Sequence, residues 1–383
     1  MDMEHLLSGL WNYGVVFLAI LTVVVFVHEL GHFMVARLNG VRVDVFSVGF
    51  GPELWGWTAK TGTRWRISWL PLGGYVKMFG DADAASATVD DTPMTDEEKA
   101  VCFHHKRLGQ RAAIIFAGPA ANFLFAIVGL SLMFMVLGQP VTEPVVGQVH
   151  SGTAAEEAGL KPHDRIVAIN NTKVERFQDI QRIVRLEIEH PLVLTVERGQ
   201  DTLSISAKPR VIQRKGVFGD MEKVPVLGIS ADPASTRILR HGPVSALLES
   251  LRETESMVTS TFVGIGQMIN GTRDSDELGG PIRIARGAGE AAQLGFASVV
   301  FYTILLSLNL GLINLFPIPV LDGGHLLFYG FEAILGRPLG EKAQEYGFRV
   351  GLFLVLALMV FATRNDIVSL PVWDVVKRFF SPT

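Results

Sequence analysis

Two histidines and a glutamate, His28, Glu29 and His32, stand inside the otherwise apolar run VVVFVHELGHFMVARLNG, Val23 to Gly40. On a helix, HExxH puts both imidazoles one turn apart on a single face, where they can share one zinc ion while the glutamate sits beside the open coordination position. That pattern suits metal-assisted hydrolysis. Ionisable groups at membrane depth are costly unless paired, so this cluster calls for a compensating partner, which a divalent cation supplies. A polar cluster at the end of a helix, with Arg37 close behind, is the competing reading.

Catalytic zinc usually takes three protein ligands. The third histidine of the extended metzincin pattern would fall at position 38, which is Leu38. The other apolar segment with acids or histidines is LNLGLINLFPIPVLDGGHLLF, Leu308 to Phe328. Pro317 and Pro319 break a helix there, and Gly323 and Gly324 let the backbone turn beside Asp322. Irregular backbone at this depth is tolerated only when buried in protein or lining a wet cavity. Asp322 is therefore the expected third ligand. His325 competes for the position, or could orient Asp322 or face the headgroups. Asn309 and Asn314 are amides nearby; an interhelical hydrogen bond suits Asn309, and contact with a substrate backbone or oxyanion suits Asn314.

These residues need apolar elements to hold them. The chain has 383 residues, 49% hydrophobic and 19% charged, which is rich in apolar and poor in charged residues for a soluble domain. Gly14 to Ala36, Ala112 to Gly138 and Leu294 to Phe316 are long enough to cross a hydrocarbon core, and Tyr346 to Ala362 is marginal. Lys and Arg concentrate between Arg37 and Arg111 and again at Arg337, Lys342 and Arg349, which puts those segments in the cytoplasm and both termini with the long 139–293 region outside. Arg364, Lys377 and Arg378 argue weakly against this. The N-terminus has no Lys or Arg and no small-residue cleavage site, so the first span is expected to stay in the protein. A net charge of −4 without a basic, aromatic-interleaved face excludes nucleic acid as a partner. The lone Cys102 excludes a disulfide within the chain.

Residues 39–80 alternate apolar with polar on either side of AKTGT, which predicts one or two hairpins. Trp55, Trp57, Trp65 and Trp69 suit an interfacial sheet, and a strand there, RWRISW, could dock an unwound substrate by strand addition. The acidic Asp81 to Lys99 segment reads as a loop within 81–111. Gly118 and Asn122 share a face of the second span, suited to close helix packing, with Asn122 able to support the site. VVGQVHSGTAAEEAGLKPHDRIVAINNTKV and the helix after it resemble a bacterial PDZ domain over 141–212, a fold that binds extended peptides. Apolar residues at helical spacing from Ser245 to Asn270 predict an amphipathic helix.

HELGH, AGPAANFLFA, the PDZ-like region and NLFPIPVLDGG together resemble the site-2 protease family, in its bacterial branch typified by the regulator of sigma-E protease. The resemblance runs along nearly the whole chain. It implies a polytopic α-helical membrane protein of four transmembrane helices, with a cytoplasmic-side, membrane-associated β-hairpin region and an exported α+β PDZ domain, in a bacterial inner membrane. It implies a zinc intramembrane endopeptidase cutting a single-span membrane protein, often an anti-sigma factor. His28, His32 and Asp322 then bind Zn2+, Glu29 is the acid/base and Asn314 handles substrate. The member that typifies that branch carries two tandem PDZ modules; one pattern is legible here. The expected map is 1–38 first span, 39–80 hairpin region, 81–111 loop, 112–138 second span, 141–212 PDZ domain, 213–293 linker and amphipathic helix, 294–328 third span with the LDG motif, 344–363 fourth span and 364–383 tail. Rival readings are a membrane-tethered PDZ scaffold with a structural metal site closed by His325, and a zinc transporter.

Overall fold

A computed structural model describes residues 3–81, 94–186, 190–215, 221–271 and 274–368. In chain order the elements begin with α1 (Met3–Leu38), β1 (Val43–Thr58), β2 (Arg64–Met78), α2 (Asp96–Val101) and α3 (Leu108–Val136). Next come β3 (Gln139–Thr142), β4 (Val146–Val149), α4 (Ala154–Glu157), β5 (Arg165–Ile169), β6 (Thr172–Lys173) and α5 (Phe177–Leu186). They are followed by β7 (Leu192–Arg198), β8 (Asp201–Ala207), β9 (Arg210–Lys215), β10 (Met221–Val226), β11 (Ile229–Ala231) and β12 (Thr236–Leu239). The helices α6 (Pro243–Ile269), α7 (Pro281–Gln293), α8 (Phe296–Asn314), α9 (Asp322–Leu335) and α10 (Glu341–Val368) complete the series.

Among the described residues four helices are long and apolar enough to cross a membrane: Tyr13–Leu38, Leu108–Val136, Phe296–Asn314 and Lys342–Val368. The chain is a membrane protein. The last of these is longer than the marginal Tyr346 to Ala362 run, because Glu345 and Arg349 pair one turn apart at its start and Asn365 and Asp366 are buried at its end. Residues 369–383 of the expected tail lie outside the described residues. So do residues 82–93 of the expected acidic loop, whose remainder is partly helical: Thr95 and Glu98 form a reciprocal capping box that starts α2.

The chain divides into two compact units, Met1–Gly129 with Gly279–Thr383, and Leu130–Leu278. In the first, β1 and β2 pair twice. Residues 43–48 lie between 64–67 and 74–78, and 53–58 pair on the other side of 64–68, so two bent strands make a four-row antiparallel sheet. Ile67 faces both Val48 and Trp55. The expected docking strand RWRISW is thus internal, and Gly74–Met78 is an edge with no further strand beside it among the described residues. Trp65 stacks on Phe46 inside the sheet at a centroid distance of 4.3 Å, whereas Trp55, Trp57 and Trp69 are exposed. Phe46, Val76 and Met78 share a core with Ala36 of α1 and Ile114 of α3, which fixes the Gly74–Met78 edge beside both helices. Ile20 and Val24 of α1 enclose Ala288 of α7 with Val299 and Leu306 of α8. The segment assigned to a linker before the third span therefore contains a packed helix.

In the second unit, the sheet ordered β6-β5-β7-β8 carries α5 on a core of Ile166, Ile169, Ile180, Val184, Leu192, Leu194 and Val196. Leu227 is buried in the same core and β11 pairs with β4, so the unit extends past the expected boundary at 212. The reason is that VPVLGIS, short as it is, supplies a strand and an apolar residue that the earlier elements lack. Asp164 is buried and receives both Arg198 nitrogens at 2.7 Å and the Lys161 N–H at 2.8 Å. Burial alone would raise its carboxyl; the Arg198 guanidinium and the backbone donor outweigh that and hold it below the ordinary aspartate range. Its stabilisation is therefore complete above the unfolded value of about 3.9 and is lost as pH falls through the lower native value. Asp164→Asn in the full chain should lower the thermal midpoint at pH 7, with the gap to native closing on acidification. A gap that stays constant into strong acid contradicts this.

Candidate metal centre

His28 and His32 are both buried on the face of α1 turned to α3, with Nε2 atoms 3.2 Å apart. Asp322, the first residue of α9, brings Oδ2 to 3.1 Å from His28 Nε2 and 3.6 Å from His32 Nε2. Among the described residues these three are the group of metal-type donors that converges, with ligand atoms within 4.8 Å of one another. His325, the sequence competitor, is outside the group; its ring packs on Phe348 at 5.3 Å.

The connection from α8 to α9 sets Asp322 in place. Leu315 and Phe316 turn off the end of α8, the two prolines follow, and Val320 adopts φ +103°, a conformation rarely tolerated by a β-branched residue. Gly323 and Gly324 play a different part from the expected turn. They lie within α9, and a Cβ on either would strike the carbonyls of Leu315, Phe316 or Ile318, so their smallness permits close approach of the loop to the helix. Gly351 of α10 likewise leaves no room for a Cβ against the Pro319 carbonyl.

The donor set fits a divalent cation. Tetrahedral ligands at about 2.0–2.1 Å from zinc lie about 3.3 Å from one another, close to the three separations here. His32 Nδ1 is 2.9 Å from the Ile114 carbonyl, which can only accept, so the ring proton sits on Nδ1 and Nε2 presents its lone pair. Asp322 Oδ2 is buried without a hydrogen-bond partner. Lone pairs converging at that range repel unless a cation or a proton lies among them.

Glu29 stands outside the donor group. Its carboxylate lies near the Val76 N–H on β2, and a Cβ on Gly74 would lie 3.2 Å from Glu29 Cγ. Asn314, the last residue of α8, holds its amide nitrogen 3.4 Å from His28 Nε2, facing the same space. The Asn309 side chain makes no hydrogen bond among the described residues; the interhelical bond at this level runs from Ser307 Oγ to the Asn122 carbonyl at 3.3 Å.

The sequence as a whole has close parallels among known proteins. The family model for peptidase family M50 matches residues 16–358. The chain belongs to peptidase family M50. An Agrobacterium fabrum protein provisionally named a zinc metalloprotease is 46% identical over 94% of this chain and 97% of its own length. A Rhizobium meliloti protein with the same kind of name is 42% identical over 95% and 99%. The metalloprotease MmpA of Caulobacter vibrioides is 37% identical over 95% and 97%.

Membership in this family gives the helix-packing residues a context the sequence alone lacked. Gly118 touches the site directly, since a Cβ there would overlap the His32 ring. The Ile114 carbonyl and the Val76 N–H went unrecognised because backbone groups carry no residue-type signal. In the purified protein, His28→Ala, His32→Ala and Asp322→Asn should each lower zinc content below the native one equivalent. Gly118→Val should do the same by displacing the His32 ring. Full zinc retention in Gly118→Val, read by elemental analysis, contradicts that packing.

Proposed function

We propose that this metalloprotease is a zinc-dependent intramembrane endopeptidase that cleaves transmembrane segments of single-span membrane proteins. The observation that carries the reading is the juxtaposition of a three-donor set, His28, His32 and Asp322, with a carboxylate, Glu29, that is not one of the donors. The cofactor is Zn2+, as in its family. Bound by these residues, zinc supplies a Lewis acid that activates water near neutral pH and polarises a peptide carbonyl.

The chain's own groups do the rest. Glu29 takes the proton from the attacking water and returns it to the leaving amine, and the Val76 N–H keeps its carboxylate oriented. Asn314, whose amide nitrogen is 3.4 Å from His28 Nε2, would donate its amide to the substrate carbonyl as negative charge develops there. A transmembrane substrate is helical and hides its carbonyls, so it must unwind before cleavage. The Gly74–Met78 edge beside Glu29 offers replacement hydrogen bonds by strand addition, in place of the internal RWRISW row. A closed structural site would need His325 as a fourth donor, and its ring is engaged with Phe348 instead.

The distribution of Lys and Arg supports a multi-pass protein of the bacterial inner membrane with the β1–β2 sheet in the cytoplasm and the α+β unit and both termini in the periplasm. Within the α+β unit, β11 has a strand on one side among the described residues and shares a core with α5, the strand and helix arrangement of a peptide-binding PDZ domain. Such a module would bind an extended peptide and restrict entry to substrates already trimmed outside the membrane, an anti-sigma factor being the substrate class the motifs suggest.

Cleavage of a single-span reporter by the purified protein should fall about 10²–10⁴-fold in Glu29→Gln while zinc content is unchanged. Equal cleavage by both proteins contradicts the acid/base role. With Glu29→Gln protein, a photoreactive residue at Leu72, next to the open edge, should crosslink the reporter, and one at Trp57, on the opposite edge, should not. The reverse pattern contradicts docking at Gly74–Met78.

A further inference from the structure

Two of the donors are imidazoles, and a neutral imidazole ligates through one nitrogen only if its proton sits on the other. For His32 the Ile114 carbonyl guarantees this. For His28 the neighbour of Nδ1 is the side chain of Asn122, fully buried on α3, with Nδ2 at 3.2 Å. An amide nitrogen can only donate, so in that orientation Nδ1 must accept and the proton must occupy Nε2, the nitrogen aimed at Asp322 and His32, where the Asn314 amide nitrogen also stands at 3.4 Å and asks for an acceptor. That arrangement blocks ligation. Asn122 Oδ1 is buried and has no hydrogen-bond partner, so nothing holds the amide against a half-turn. After the turn Oδ1 accepts the Nδ1–H of His28 and frees the Nε2 lone pair.

We infer that Asn122 is a positioning residue for the metal, which sets the Nδ1–H tautomer of His28 by presenting its amide oxygen to the ring. The inference rests on the zinc-site reading above. An amide suits the position because it can face the ring with either a donor or an acceptor, so His28 keeps a partner with and without metal. The neighbourhood holds the residue in place. Gly311 of α8 leaves its α-hydrogen side against Asn122 Cβ, where an added Cβ would sit at 3.1 Å, and Ser307 binds the Asn122 carbonyl. Ile114, Gly118 and Asn122 are spaced by four along α3, and each meets one of the two histidines through its carbonyl, its missing side chain or its amide.

The test is zinc affinity of the full chain in detergent by chelator competition, for native protein, Asn122→Leu and Asn122→Asp. Leucine keeps the volume and removes the acceptor; aspartate keeps only acceptors. Asn122→Leu should bind zinc about 10–100-fold more weakly than native, and excess zinc should restore its cleavage of the reporter, which it cannot do for Glu29→Gln. Asn122→Asp should bind at least as tightly as native. Native-like zinc affinity in Asn122→Leu overturns the inference while leaving the zinc site intact. If Asn122→Leu fails to fold, Asn122→Asp decides: weak binding in a variant whose metal-free melting matches native also overturns it. Native protein that takes up no zinc removes the zinc-site reading and this inference with it.

Discussion

Three electron pairs pointed at one another in an apolar interior are the constraint from which the membrane unit follows. His28, His32 and Asp322 come from two elements far apart in sequence, and their donor atoms lie close to the spacing of zinc ligands. Left without a cation, such a cluster must hold a proton among its donor atoms or carry their repulsion. Every close approach near the site then acquires a reason. Gly118 yields space to a ligand ring, Gly323 and Gly324 bring the Asp322 loop against its helix, and Gly351 brings α10 against that loop.

The helix α3 is the template on which the two histidines are set. It contributes no donor to the metal, yet its Ile114 carbonyl and Asn122 amide meet the outer nitrogens of both rings. Pro119 lies within α3 between these two contacts, where its ring removes a backbone donor. On the other flank, the β1–β2 sheet shares its core with α1 and α3, so the strand edge that meets Glu29 is fixed by the same helices that hold the donors. The donor set and the strand edge thus have one common frame.

The donors were legible because residue type and spacing encode them: HExxH announces its own geometry, and an aspartate after two prolines in an apolar run has few other uses. Their arrangement beyond that was only partly legible. Asp322 over His325 could be argued from chemistry, but that His325 turns to Phe348 depends on α10. The glycines after Asp322 suggested a turn, whereas the strained turn falls on Val320, which no propensity would nominate. The sheet misled in a similar way, since an alternating strand reads alike whether it is internal or at an edge; only the double pairing of residues 43–48 with 64–67 and 74–78 distinguishes them. The α+β unit ran past its apparent end because the strand that closes it, Ile229–Ala231, is three residues long and follows a hairpin of its own.

The claim most open to direct measurement is that one zinc ion is held by two imidazoles and one carboxylate with a position left for a light ligand. X-ray absorption at the zinc edge of the purified protein should give about four nitrogen or oxygen neighbours at roughly 2.0–2.1 Å, two of them showing imidazole multiple scattering, and no sulfur. A sulfur neighbour at about 2.3 Å, or a third imidazole, would contradict the assignment.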